Sequence, residues 1–110
     1  MKKVLFVCTQ NRLRSPTAEK VFSNYKRIEV KSAGTDAHAR THLTSKMIKW
    51  ADIIFAMEKI HQEKIKQKYK DKLKGKKLIC LNIPDKYDFM QPELISILNE
   101  KVSKHLNAIK

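Results

Sequence analysis

The chain has 110 residues, 42% of them hydrophobic and 32% charged, the make-up expected of one domain over residues 1–110. No apolar run approaches the roughly 20 residues needed to cross a bilayer, Val4–Val7 is too short for a secretory signal, and Cys8 and Cys80 have neither disulfide-scaffold nor zinc spacing. A monomer in a reducing cytoplasm, away from membranes, is expected, and the net charge of +13 points to an anionic partner or substrate.

The apolar run Val4–Val7 is continuous rather than alternating, as in a strand covered on both faces of a parallel sheet. A helix over 16–26 follows, with Ser15 as N-cap and Pro16 at the first helical position. A second strand over 28–32 closes at Gly34. A helix over 43–51 sets Leu43, Met47 and Trp50 on one side, and 52–57 is a third strand. From Glu58 to about Lys72 the chain reads as a surface helix with Ile60, Ile65 and Tyr69 as its apolar edge, ended by Gly75. Eight lysines fall within 64–77, but with Tyr69 as the one aromatic and no nucleic-acid motif they read as a solvated face, so nucleic acid is not an expected partner. Residues 77–83 form a fourth strand and 83–92 a turn-rich loop; Leu94, Leu98, Val102, His105 and Ile109 then recur at helical spacing. Strand alternating with helix predicts an α/β three-layer sandwich around a four-stranded parallel sheet.

In such a sheet, ligands bind beyond the carboxyl ends of the strands, where Cys8 stands. The loop after it runs straight into a helix N-terminus, whose unpaired N–H groups and dipole favour an anion. Arg14 adds a planar fork that matches two phosphate oxygens. A phosphoryl group held by Arg14 and the amides of Thr9, Gln10, Asn11, Arg12 and Leu13 would sit above the Cys8 sulfur. These surroundings favour the nucleophilic thiolate, and the Ser15 hydroxyl can donate to it. Asn11 can take the left-handed backbone conformation, so the loop can curl around an anion without glycine.

The stretch "VLFVCTQNRLRSPTAE" resembles the signature of the low-molecular-weight protein tyrosine phosphatases, and the likeness continues in order through "SAGT", "ADIIFAME" and "IPDKYDF". The resemblance implies a flavodoxin-like fold in a short variant, and hydrolysis of phosphotyrosine or aryl phosphate monoesters through a cysteinyl-phosphate. Cys8 would be the nucleophile and Arg14 the clamp. Asp85 would be the general acid, with Asp88 as the alternative, and Tyr87 would pack on the substrate ring. Ser32 and His38 would support Asn11. The substrate would be a phosphotyrosine protein or small aryl phosphate and the product inorganic phosphate, with no metal or organic cofactor. His38 and His42, at i, i+4 spacing, lack a third metal ligand.

Within the loop, Gln10 stands for the family's common glycine, Arg12 for an apolar residue and Leu13 for a second cysteine. Arg12 puts a cation at the pocket mouth, either pointing to solvent or favouring acidic residues beside the phosphotyrosine. Two other functions compete. Arsenate reduction on the same architecture needs further redox cysteines, and only Cys80 is present; a noncatalytic anion or nucleic-acid binder would reuse the loop and the lysines.

Overall fold

The computed structural model describes residues 1–106, so the predicted helical position Ile109 lies outside the described residues. Four strands, β1 (Lys2–Cys8), β2 (Ile28–Gly34), β3 (Ile53–Ala56) and β4 (Lys77–Cys80), form one parallel sheet in the order β2-β1-β3-β4. Helices α1 (Arg14–Phe22), α2 (Ser45–Trp50), α3 (Lys59–Tyr69) and α4 (Pro92–Leu106) connect and cover them.

The unbroken apolar run of β1 follows from its central place. Successive side chains of a strand point to opposite faces. Val4, Phe6 and Cys8 join Ala18 and Phe22 of α1 and Leu94, Leu98, Val102 and Leu106 of α4 in one core layer. Leu5 and Val7 join Leu43, Ile48, Ile65 and Tyr69 on the other side. Phe6 stacks between Phe22 and Phe55, with ring centroids 5.7 and 5.3 Å away. Each such buried side chain contributes about 1.5–3 kcal/mol of apolar transfer, so this layer fixes where β1 ends. Cys8 pairs with Gly34 of β2, which brings the two strand ends together at the sheet's carboxyl rim.

Several predicted boundaries move. The helix predicted over 16–26 starts at Arg14, with Leu13 as N-cap and no side-chain cap, because the Ser15 hydroxyl is engaged elsewhere; Pro16 still lies within the first turn, where a missing N–H costs no bond. The helix predicted over 43–51 is shorter: Thr44 caps it through Met47 N, and its fully buried residue is Ile48. Met47 and Trp50 are only half-buried, Trp50 beneath the Lys31 ammonium at 4.6 Å. In α3 the buried residues are His61, Ile65 and Tyr69, whereas Ile60 is 56% exposed. A short 3-10 turn (Lys70–Lys72) follows, and Gly75 adopts φ +80°. β4 stops at Cys80 because Asn82 turns left-handed (φ 55°), although Leu81 N and Ile83 N still donate to Ala56 O and Met57 O. In α4, Leu106 rather than His105 continues the buried stripe.

Candidate active site

The loop from Cys8 to Arg14 is shaped from outside. Its carbonyls are taken up by the surrounding chain: Cys8 O accepts from Thr35 N (2.9 Å), Thr9 O from Asp36 N (3.0 Å), Gln10 O from Arg40 N (3.0 Å) and Asn11 O from Arg40 Nε (2.9 Å). Leu13 O accepts from both Thr17 N and Thr17 Oγ1. With the carbonyls turned outward, the amides of Gln10, Arg12 and Leu13 have no internal carbonyl partner among the described residues. They add to the free N–H groups at the start of α1, which together make an anion cradle. Asn11 holds the curl with φ 55°, the left-handed conformation expected of it. Gly34 makes the curl possible from the other side: a Cβ there would run into Thr9 O and approach Ala39 Cβ to 2.6 Å.

Beneath the cradle lies a buried polar chain. Asn11 Nδ2 donates to Ser15 Oγ (2.8 Å) and Ser32 Oγ (2.9 Å), and Ser32 Oγ donates to the Glu19 carboxylate. Ser15 Oγ is 2.9 Å from Cys8 Sγ, and Asn11 N donates to the same sulfur at 3.3 Å. Since Asn11 already supplies a proton to Ser15 Oγ, the Ser15 hydrogen is free to point at the sulfur; the carbonyl of Ala33, at 3.4 Å, is its weaker acceptor. Two donors thus converge on one sulfur.

Arg14 is 2% exposed, and its Nη1 donates to Glu58 Oε1 (2.5 Å) and Ile83 O (2.8 Å), while Nε stands 3.9 Å from Asp85 Oδ1. Glu58 is in turn part of a turn-capping arrangement: its N–H donates to His61 Nδ1 at 3.0 Å, so the ring proton sits on Nε2, 2.7 Å from Thr9 Oγ1. Burial holds the His61 pKa down to about 4, aided by the nearby Arg14 and Lys64 charges and opposed by Glu58 and Asp85. The imidazole is therefore neutral and ties the start of α3 to the loop.

Cys8, Thr9, Gln10, Arg12, Leu13, Arg14 and Asp85 line one pocket of about 190 Å³. Seven of the predicted residues thus meet in one place, and Asn11, Ser15 and Ser32 stand directly behind it. Two do not fit. His38 is exposed and takes no part in the Asn11 network; its backbone N–H donates to Asp36 Oδ1, which turns this segment away, and Glu19 fills the supporting role through Ser32. Tyr87 is half-buried against the α1/α4 core layer and is not among the residues lining the pocket, because the chain reverses just before it, where Lys86 N donates to Pro84 O. Asp88 is exposed, its N–H bonded to Gln91 Oε1 ahead of α4, which leaves Asp85 as the carboxyl at the pocket. Glu58, His61, Glu19 and Arg40 join the site without a local sequence signal. Each reaches the loop from a distant part of the chain, and only Glu58 carried a hint, as the last residue of "ADIIFAME".

Fold and loop together define an α/β domain with a cysteine at the end of its first strand, beneath a loop whose free amides face a helix N-terminus. Residues 3–51 match the family model described as low molecular weight phosphotyrosine protein phosphatase. No curated protein matches the chain. Among solved structures, the tyrosine phosphatase Wzb from Escherichia coli K30 in complex with phosphate is 20% identical, covering 99% of both chains with a TM-score of 0.81. Vibrio vulnificus Wzb in complex with benzylphosphonate is 25% identical, covering 97% of this chain and 95% of its own, TM-score 0.71. The YwlE arginine phosphatase from Geobacillus stearothermophilus is 23% identical, covering 98% of this chain and 94% of its own, TM-score 0.75. Residues 3–51 are thus similar in sequence to the low molecular weight phosphotyrosine protein phosphatases, and the fold is shared with these solved structures over nearly the whole chain. Among the described residues no helix is long and apolar enough to cross a membrane.

Proposed function

We propose that the protein hydrolyses aryl phosphate monoesters, phosphotyrosine in proteins foremost, by way of a cysteinyl-phosphate on Cys8. The observation that carries this reading is that a thiol with two donors on its sulfur, a buried guanidinium and a carboxyl group line one small pocket. The Cys8 thiolate attacks phosphorus, the ester P–O bond breaks, and the departing phenolic oxygen takes the proton of Asp85. The Asp85 carboxylate then removes a proton from water as the water oxygen attacks phosphorus. The P–S bond breaks, inorganic phosphate leaves, and Ser15 Oγ–H and Asn11 N–H receive the returning thiolate. Arg14 and the loop amides hold the equatorial oxygens throughout.

Phosphoarginine is the second reading, because a solved relative is named an arginine phosphatase. Arg12 speaks against it: a guanidinium at the pocket mouth opposes a substrate whose leaving group is itself a guanidine. Arsenate reduction fares worse. Cys80 is aligned with Ala56 of β3, which is aligned with Val7, so it lies two strands from the loop, about 10 Å at the usual strand spacing and too far for a disulfide with Cys8.

The test is hydrolysis of an aryl phosphate and of a phosphoarginine peptide by wild type, Cys8→Ser and Asp85→Asn. Wild type should cleave the aryl ester, Cys8→Ser should be inert, and Asp85→Asn should lose about 10²–10⁴ in kcat. A fully active Cys8→Ser overturns the reading, and preference for phosphoarginine replaces the substrate class.

A further inference from the structure

Beside the Cys8 pocket lies a second, larger groove of about 500 Å³ that the reaction above does not use. It is floored by Pro16 and walled by Arg12, Lys20, Arg40 and Phe89. Arg12 belongs to both, so the groove is a continuation of the pocket mouth rather than a separate cleft. Arg12, Lys20 and Arg40 are exposed, and Arg40 is anchored by its Nε on Asn11 O, which holds its guanidinium over the groove side of the loop. The acidic wall residue, Glu19, is half-buried and already accepts from Ser32. Phe89 is 47% exposed and, among the described residues, the one large aromatic hydrophobe so exposed. It is held out by the left-handed turn at Met90 (φ 61°), whose N–H donates to Thr17 Oγ1 at 2.9 Å.

We propose that this groove binds the acidic segment flanking the phosphorylated residue of a protein substrate, with carboxylates on Arg12, Lys20 and Arg40 and an apolar side chain on Phe89. The inference rests on the phosphoester reading of the Cys8 pocket and names the substrates that site selects. Charge complementarity supplies the argument, since three cations face a groove whose single carboxylate is internally engaged. An extended peptide rises about 3.3 Å per residue, so positions within a few residues of the phosphorylated one reach the groove from the shared Arg12 wall.

The experiment compares kcat/KM on three phosphotyrosine peptides with acidic, neutral or basic flanks, and on a small aryl phosphate that does not extend into the groove. Wild type should favour the acidic over the neutral peptide by about five- to tenfold at low salt, falling toward equality near 0.5 M salt. Lys20→Glu should remove at least half of that preference and leave the aryl phosphate rate unchanged. Phe89→Ala should weaken only peptides with an apolar flanking residue. Equal rates on the three peptides alongside normal aryl phosphate turnover overturn the groove and spare the phosphatase. No turnover of any phosphoester overturns both. Anionic vesicles that inhibit peptide turnover without any flank preference would identify a membrane surface instead and also overturn it.

Discussion

Asn11 carries two jobs in one residue, a left-handed backbone and a buried amide that links Ser15 to Ser32. Substitution separates them. Asn11→Gly keeps the conformation and loses the bonds; Asn11→Ala loses the bonds and adds the strain of a Cβ at φ 55°. Both should lower stability by about 1–3 kcal/mol for the lost bonds, with Ala worse than Gly by about 1 kcal/mol, measured by urea unfolding. Both should also slow turnover, because Ser15 loses the donor that frees its hydrogen for the sulfur. His61 gives a pH dependence of definite sign. Its folded pKa, about 4, lies below the unfolded value of 6.5, so between those values the unfolded chain binds the extra proton. Stability from this group is complete above pH 6.5 and is lost as pH falls toward 4, about 3 kcal/mol in all. Protonation would turn Nδ1 into a donor facing the Glu58 N–H. His61→Gln should therefore show a flatter stability profile between pH 7 and pH 4 than wild type, read from urea midpoints.

At the level of elements, the site depends on where β1 and β2 end together. Gly34 N and O are both engaged, to Thr41 O (2.8 Å) and from Leu43 N (2.9 Å), so its backbone cannot retreat from the loop. Gly34→Ala should cost about 1–3 kcal/mol and displace Thr9 and Asn11, which a drop in both the urea midpoint and phosphate affinity would reveal. Strand β1 and its loop were legible in the sequence because an apolar run, a nucleophile and an anion-binding helix start are all local signals. The helix start itself was misread by two residues, since Ser15 looks like a cap until its hydroxyl is seen on Cys8. The support from Glu58, His61, Glu19 and Arg40 was not legible, because it depends on how separate elements pack. Ile60 and His61 make the point: apolar character favoured Ile60 for the core, yet the polar neighbour is buried because two hydrogen bonds satisfy its ring.

Across the whole molecule the two thiols are held apart by the sheet. Cys80 sits half-exposed on the outer strand β4, its Sγ directed to Asn82 Oδ1, and Leu13 occupies the place beside Arg14 where a partner thiol would stand. A sulfenic acid formed on Cys8 then has no internal thiol with which to condense. Peroxide inactivation should therefore advance to forms that thiol reductants do not reverse, and activity recovered with dithiothreitol should fall steadily with exposure time. The lysines of the 64–77 segment are mostly solvated, with one exception: Lys76 Nζ donates to Lys49 O and Ala51 O at the end of α2, where a cation meets unpaired helix carbonyls. Exposed Lys77 opens β4 and exposed Lys74 stands just ahead of it, and β4 is an outer strand with one side of its backbone unpaired in the sheet. Such an edge is a template for another strand, and positive charge at its start opposes the second copy that would add there. Charge at the start of β4 thus guards the flank of the sheet against self-templating, and a polyanion that masks it would remove the guard.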